Sequence, residues 1–288
     1  LRVIEAGFEG FDHLLFAEFV ERFGVDDYEA SIPALKVFTR SSAEFAIRPY
    51  IRRYPEETMA QMLRWTRSTD ENVRRLASEG CRPRLPWGGA LAEFKQDPSP
   101  ILPILDNLKD DSSEYVRRSV ANNLNDISKD HPDIALEVAE RWLTDPAATR
   151  LVKHALRGLL KQGHPGALAL FGLGDSDGLA VSRLVVTPSN VPIGGATTFS
   201  FQLAVTCGTP RNLRLEYVID YVKARGKTSP KVFQIREFEA DLPGTHDFKR
   251  KLNFVDRTTR KHYPGQHTLS LVANGHRLAS THFFLEKP

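Results

Sequence analysis

The sequence has few cysteines and no long apolar run. Its 288 residues include 2 cysteines, Cys81 and Cys207, which lie far apart and form no metal-ligand pattern. This scarcity argues against a disulfide scaffold and predicts a protein of the reducing cytoplasm. No stretch approaches the roughly 18 consecutive apolar residues of a membrane helix, and no signal peptide is visible. The chain starts at Leu1, so we expect an N-terminal segment to be missing.

The sequence also lacks the common signatures of nucleotide, metal and hydrolase sites. It contains no G-x-x-x-x-G-K-[ST] loop and no H-E-x-x-H, and the glycines of GLGDSDG (172–178) follow no strand. The 9 histidines are scattered, and no serine stands in a nucleophile elbow. We therefore expect neither a cofactor nor a metal.

The net charge of +3 conceals an asymmetry along the chain. Residues 176–288 carry 16 Lys and Arg against 9 Asp and Glu, a net charge of +7. The remainder, with 23 basic against 27 acidic residues, is net −4. A basic C-terminal part indicates an anionic partner such as nucleic acid, although solubility alone would also explain it.

From residue 1 to about 174 the apolar residues follow a helical period. PEETMAQMLRWT (55–66) begins with a proline and two acids, which suit a helix N-terminus. Trp65 and Trp142 fall at positions typical of the core. A further helix is predicted over 11–23, with a broad apolar face that consists of Leu14, Leu15, Phe19, Val20 and Phe23.

Three of the predicted helices resemble one another. ENVRRLASEG (71–80), EYVRRSVANN (114–123) and RLVKHALRGL (150–159) align with their valines in register, at spacings of 43 and 36 residues. Each follows a polar or proline-containing turn. A helix pair that repeats about every forty residues indicates a solenoid of HEAT-like repeats, whose stacked helices leave a long concave surface.

Beyond the Gly- and Asp-rich segment 172–180, which we interpret as a linker, the apolar residues alternate. Asn274-Gly275 predicts a two-residue hairpin turn. About seven short strands in about 105 residues indicate an immunoglobulin-like sandwich. The predicted domains are a helical repeat domain over 1–174 and a β-sandwich over 175–288. The segments that show the alternation are 199–205, 213–221, 231–238, 248–254 and 267–273.

Carboxylates recur at related positions of the helical repeats. Glu79 lies six residues after Val73, and the equivalent position in the next repeat is Asn122, with Asp126 one helical turn later. Glu44 stands 35 residues upstream of Glu79. Acids on one concave surface would suit a specific cationic target. Solvated or interhelix ion-paired carboxylates are the ordinary alternative.

The segment LASEGCRPRLPW (76–87) ends the helix of Glu79 with arginines, prolines and a tryptophan. Trp87 would offer an indole face beside a cation, or would simply plug the end of the core. Other cations near the acids would hold DNA phosphates, or would pair with neighbouring carboxylates. They are Arg82, Arg84, Arg117, Arg118, Lys153 and Arg157.

Taken together, LASEGCRPRLPWGGAL, PILDNLKDDSSEYVRRSVANNLNDISKDHPD and the appended sandwich resemble the AlkC branch of the HEAT-like-repeat DNA glycosylases over nearly the whole chain. The resemblance implies hydrolytic removal of 3-methyladenine and 3-methylcytosine from duplex DNA by a monomer in the bacterial cytosol, at the nucleoid. It also implies that the concave surface bends the duplex and reaches the lesion without full base flipping. The family's site positions fall on Glu44, Glu79, Trp87 and Asp126.

The sandwich would then complete a clamp on the DNA. YVKARGKTSPK (221–231) and DRTTRKH (256–262) are loop-like and basic, and we expect Lys223, Arg225 and Lys227 to contact phosphates. Two other readings stay open at this point. One is a non-catalytic HEAT-repeat scaffold for DNA or protein, and the other is a DNA-binding relative without activity.

Overall fold

The computed structural model describes residues 13–41, 43–174, 176–206, 211–240, 243–258 and 261–287. Contacts divide the chain into two compact units, 1–159 and 160–288. The first consists of helices and the second mainly of strands. Among the described residues no helix is long and apolar enough to cross a membrane.

The helices of the first unit range from one turn, over Ala43–Ala46, to about four turns, over Glu114–Ile127. They are α1 (His13–Phe23), α2 (Tyr28–Val37), α3 (Ala43–Ala46), α4 (Arg48–Arg53), α5 (Pro55–Trp65), α6 (Glu71–Glu79), α7 (Ala92–Gln96), α8 (Leu102–Leu108), α9 (Glu114–Ile127), α10 (Pro132–Trp142) and α11 (Thr149–Ala155). Two more, α12 (Arg157–Gln162) and α13 (Pro165–Ala169), follow. Single 3₁₀ turns occupy Phe38–Ser41 and Pro146–Ala148.

The three helices that resemble one another in sequence are α6, α9 and α11, and they lie side by side, with α9 in the middle. Val73, Val116 and Val152 are all buried, as their common register predicts. Trp65 and Trp142 are also core residues. An inter-helix ion pair joins α6 to the turn before α9, where Arg74 Nε lies 2.6 Å from Asp111 Oδ2.

The apolar face that the sequence predicted for α1 is only partly correct. Val20 is buried, and so is Ala17, which the prediction left out. Leu15, Phe19 and Phe23 instead form an exposed stripe. The helix is apolar on most of its circumference, so its sequence does not specify which side meets the core.

The second unit is a two-sheet sandwich of β1 (Leu179–Thr187), β2 (Asn190–Pro192), β3 (Ala196–Val205), β4 (Arg211–Val222), β5 (Thr228–Ala240), β6 (Gly244–Asn253), β7 (Gly265–Ala273) and β8 (His276–Glu286). One sheet has the order β1-β3-β6 and the other β2-β8-β7-β4-β5. The alternating segments lie in β3 to β7 as predicted, and Asn274 and Gly275 form the β7–β8 turn with φ of 48° and 79°.

The two compact units divide between residues 159 and 160, fifteen residues before the boundary between 174 and 175 that the sequence predicted. Gly275 in the β7–β8 turn lies against the segment that contains α13, so close that a Cβ there would stand 2.8 Å from Leu168 Cδ1 and 3.1 Å from Gly163 Cα. These contacts group α13 with the strands, although its sequence is helical.

Candidate functional site

Three carboxylates converge where neighbouring helices of the first unit meet. Glu44 lies on α3, Glu79 is the last residue of α6, and Asp126 lies in the last turn of α9. α6 packs against both α3 and α9, which brings the three side chains together. All three are buried. A buried carboxylate is costly unless cations and hydrogen bonds compensate it, so their partners determine what the site can do.

Arg82 joins two of these carboxylates. Its Nη1 lies 2.7 Å from Glu79 Oε1, and its Nε and Nη2 each lie 2.9 Å from Asp126 Oδ2. Burial would lower the pKa of the Arg82 guanidinium, but the two carboxylates raise it by more, so its pKa stands above the ordinary value. Arg82 is therefore a permanent cation inside the site.

Arg75 joins the third carboxylate, Glu44, to Glu79. Its Nη1 and Nη2 lie 3.1 and 3.2 Å from a single oxygen, Glu44 Oε1, and its Nη2 is 3.7 Å from Glu79 Oε1. The guanidinium carbon also lies 4.7 Å from the centre of the Tyr115 ring. Cation–π contacts of this kind stabilise a guanidinium by about 0.5–2 kcal/mol.

Each of the three carboxylates has a second oxygen that neither Arg75 nor Arg82 contacts, and these oxygens differ in their partners. The Ser119 hydroxyl donates to Glu79 Oε2 at 2.6 Å, and Lys129 Nζ donates to Asp126 Oδ1 at 2.9 Å. Glu44 Oε2 is buried, and no donor in the described part of the chain reaches it. The cluster thus holds three carboxylates and three cations, Arg75, Arg82 and Lys129, and its formal charges cancel.

Arg48 binds the segment between α6 and α7, residues 80–91. This buried guanidinium donates to the carbonyls of Gly80 and Arg82 at 2.9 and 3.0 Å and to that of Gly89 at 3.1 Å. Burial lowers the pKa of Arg48 to about 10. Arg48 therefore binds both ends of the segment that carries Arg82 and Trp87 and helps to fix its path.

Trp87 lies at the tip of this segment, and 99% of its surface is exposed. Its φ of 64° is in the left-handed region, which side chains other than glycine rarely adopt. The indole does not plug the core, which removes the ordinary alternative. The aromatic ring that contacts the cluster is Tyr115 rather than Trp87.

Arg82 and Arg84, which the sequence predicted to hold phosphates, both pair with acids of the protein. Arg82 is buried and committed to carboxylates. Arg84 forms a two-pronged pair with Asp130, at 3.1 and 2.6 Å, which lowers the pKa of that carboxyl. Both guanidinium groups pair with acids of the protein itself. Arg82 is buried, whereas 36% of the Arg84 side chain stays exposed, so phosphate contact by Arg84 stays a prediction.

The other predicted cations of the first unit are also partnered. Arg117 donates to the carbonyls of Asp111 and Ser112, and the exposed Arg118 pairs with Glu114 at 3.3 Å.

Closer to the acids, Arg157 donates to Asn122 at 2.9 Å, and burial lowers its pKa while the charge of Asp126 acts in the opposite sense. Lys153 lies on α11. It is half-buried and, like the other cations, has a partner.

The basic hairpin of the second unit is exposed. Lys223, Arg225 and Lys227 lie in the turn between β4 and β5, which the backbone closes by a 2.8 Å hydrogen bond from Lys223 N to Lys227 O. In the segment 256–262, Asp256 accepts a hydrogen bond from the backbone of His262, and residues 259 and 260 lie outside the described residues.

Sequence reasoning missed Arg75, Tyr115 and Arg48. Arg75 had one available signal, its spacing of four residues from Glu79 on the same helix. Tyr115 and Arg48 act across helices, and their sequence positions gave no sign of it. Within the described ranges, no group of three or more His, Cys, Asp or Glu side chains has the arrangement of a metal site.

Two family models match separate stretches of the chain. Residues 37–157 match the model of a DNA alkylation repair enzyme family, and residues 180–287 match the C-terminal Ig-like domain of the uncharacterised protein YhaZ. The chain is 47% identical to the uncharacterized protein YhaZ of Bacillus subtilis (strain 168) over 277 residues, which cover 96% of this chain and 77% of that protein.

A solved structure is similar over the same extent. It is the Pseudomonas fluorescens alkylpurine DNA glycosylase AlkC bound to DNA containing an abasic site analog. The two share 45% identity with a TM-score of 0.93, over 96% of this chain and 78% of the other.

Proposed function

This chain belongs to the AlkC-like family of DNA alkylation repair enzymes, and on that premise we propose that it is a monofunctional DNA glycosylase for cationic methylated bases, chiefly 3-methyladenine and 3-methylcytosine. The convergence of Glu44, Glu79 and Asp126 is the observation that carries the proposal. Its partner would be duplex DNA, and the similar AlkC is bound to DNA that contains an abasic site analog.

Three carboxylates suit this chemistry because the substrate base already carries its positive charge. A base methylated at a ring nitrogen leaves as a neutral molecule with the electrons of the glycosidic bond, so no acid needs to protonate it. Positive charge then develops on the sugar, where buried carboxylates stabilise it. Glycoside hydrolases use paired carboxylates in the same way.

The second task is to direct a water molecule at the anomeric carbon. As the water oxygen bonds to that carbon, a carboxylate accepts its proton. Arg82 holds Glu79 and Asp126 at fixed positions, so both are ready for these two tasks before the substrate arrives. Such preorganisation avoids rearrangement at the moment of reaction.

We expect simple hydrolysis without a covalent enzyme–DNA adduct. A Schiff base requires an amine at the anomeric carbon, and the ammonium of Lys129 is engaged by Asp126. Borohydride should therefore trap no adduct.

The helical unit would act as a solenoid of HEAT-like repeats that bends the duplex and reaches the lesion from the backbone side. A cationic base needs little recognition beyond its charge and its weakened bond, so full flipping into a pocket is unnecessary. Phosphate contacts would offset the cost of bending the DNA. We place this activity in the cytoplasm, in a monomer.

The first test is release of free 3-methyladenine and 3-methylcytosine from methylated duplex DNA. We expect Glu79→Gln and Asp126→Asn to lower the rate by about 10²–10³, the usual effect of removing one preorganised electrostatic group, while duplex binding persists. Glu57→Gln, at an exposed acid of α5, is the matched control and should keep full activity.

Release that survives both site changes would refute the carboxylate assignment. Absence of release by wild type, with duplex binding intact, would instead identify a non-catalytic DNA-binding relative.

A further inference from the structure

One cation of the protein lies between two carboxylates and an aromatic ring. The carboxylates of Glu44 and Glu79 and the face of Tyr115 surround the Arg75 guanidinium. Anionic groups on one side and an aromatic face on the other form a site suited to a flat organic cation.

Arg75 is held less closely than Arg82 by the carboxylates of the cluster, and 16% of its side chain is exposed against 8% for Arg82. Both of its contacts to Glu44 go to one oxygen, and its distance to Glu79 is 3.7 Å. Arg82 also contacts two carboxylates, but at the shorter distances of 2.7 and 2.9 Å. Because charge-assisted hydrogen bonds weaken as they lengthen, Arg75 is the cation that leaves at the lower cost.

Glu44 shows the same incomplete pairing from the other side. Its Oε2 is buried beside this site and accepts nothing from the described residues. A buried carboxylate oxygen without a donor is unfavourable, and a new cationic or hydrogen-bonding group would relieve it. The site is thus poised to exchange one cation for another.

We propose that Arg75 is a resident cation that occupies the lesion position in the free protein and is displaced by the cationic base. The identity of the incoming cation rests on the proposed function, whereas the existence of an exchangeable cation site does not. Arg75 and Tyr115 are then determinants of specificity.

This exchange explains discrimination against undamaged bases. Removing Arg75 leaves Glu44 and Glu79 with one cation fewer, and only a positively charged ligand restores the balance. A neutral adenine or cytosine brings no such compensation, so it does not displace Arg75. Selection by charge operates without a shape-matched pocket.

The direct test fills the vacated site with a small cation. In Arg75→Ala, methylguanidinium at a non-denaturing, millimolar concentration should raise the melting temperature by about 2–4 °C when it exceeds its dissociation constant tenfold. Wild type should show no rise, because its own guanidinium is in place. Methylammonium chloride at equal ionic strength corrects for salt.

The matched control is Arg74→Ala on the same helix. Arg74 also pairs with a carboxylate, Asp111, but it has no aromatic partner among the described contacts. We expect no rise with methylguanidinium for this variant, and none for the double variant Arg75→Ala with Tyr115→Leu. An equal rise in Arg74→Ala, or none in Arg75→Ala, would overturn the proposal.

A second variant covers the case in which Arg75→Ala does not fold. Arg75→Gln keeps most of the side-chain stem and removes the charge. Its preference for a duplex carrying a cationic pyrrolidine at the lesion position, relative to undamaged duplex, should rise about five- to tenfold, because no cation must leave. A fall in this ratio would show that Arg75 binds DNA instead.

These readouts separate the two proposals. A methylguanidinium effect in Arg75→Ala, together with no base release by wild type, would retain the cation site and remove the glycosylase assignment. Base release without the methylguanidinium effect would do the opposite.

Discussion

Arg82 illustrates how much the site depends on one side chain. Replacing it with Met would leave Glu79 and Asp126 buried with fewer cations, a situation that costs about 3–5 kcal/mol when a buried pair is broken. We expect Arg82→Met to lower the free energy of unfolding by that amount, as measured by urea denaturation. Base release should fall with it, because both carboxylates lose their fixed positions.

Arg84 provides the comparison for Arg82 on the same segment. Its pair with Asp130 is 36% and 22% exposed on the two side chains, and exposed pairs contribute about 0–1 kcal/mol. Arg84→Met should therefore change unfolding by less than about 1 kcal/mol. Equal losses for the two variants would show that burial does not govern their difference.

The acidic residues of the cluster were predictable from the sequence, and the aromatic ring of Tyr115 beside the cluster was not. Glu44, Glu79 and Asp126 follow from the repeat register and the family resemblance, and the structure brings them together. Trp87 is conspicuous in the sequence because tryptophan is a rare residue and this one follows a proline. Tyr115 lies one residue before a core valine and becomes visible only when α6 and α9 are packed.

At the scale of elements, the segment between α6 and α7 owes its shape to Arg48 on α4. Arg48→Ala removes a buried donor from the carbonyls of Gly80, Arg82 and Gly89. Unsatisfied buried carbonyls cost about 1–3 kcal/mol each, which applies to Gly80 and Arg82, so the segment should open locally. We expect faster amide hydrogen exchange over residues 80–91 and a lower rate of base release.

Arg52 on the same helix is the control for Arg48. It donates to the carbonyl of Ala90 at 3.2 Å from an exposed position, where water replaces the lost bond. Arg52→Ala should leave hydrogen exchange in the segment nearly unchanged. If both variants loosened it equally, its shape would not depend on the buried contacts.

The sequence predicted which segments form helices and which form strands more reliably than it predicted which face of each is buried or where each begins and ends. Period and alternation predicted α5, α6 and β3 to β7, because side-chain direction repeats with the backbone geometry. The outer stripe of α1 was misjudged, since its apolar residues surround most of the helix. Strand β1 (Leu179–Thr187) was not among the predicted alternating segments, and the linker predicted over 172–180 overlaps its first residues.

At the scale of the whole molecule, the basic β4–β5 hairpin gives a test of the clamp. Replacing Lys223, Arg225 and Lys227 with Ala should weaken duplex binding and reduce the slope of log K against log salt by about 2–3, roughly 0.9 for each lost phosphate contact. Titrations at several salt concentrations measure it.

The charge-preserving variant Lys223→Arg, Arg225→Lys, Lys227→Arg is the control, and it should keep the wild-type slope. An unchanged slope in the alanine variant would remove the hairpin from the interface.

The change from a helical period to alternation predicts that the chain divides into a helical and a β unit. It does not predict the residue at which the two units divide. Residues 165–169 form a helix and so look like a continuation of the first unit. Their grouping with the β7–β8 turn rests on Gly275, whose missing side chain allows Leu168 and Gly163 to approach. A contact between residues so distant in sequence leaves no local pattern.

The internal neutrality of the carboxylate cluster has a kinetic consequence. Three bare carboxylates would repel every phosphate that passed, and three unpaired cations would hold each one. Because Arg75, Arg82 and Lys129 balance Glu44, Glu79 and Asp126, the site exerts little net force on an intact duplex. A repair protein built this way would diffuse along undamaged DNA without pausing, and its dwell time would lengthen only at a damaged base.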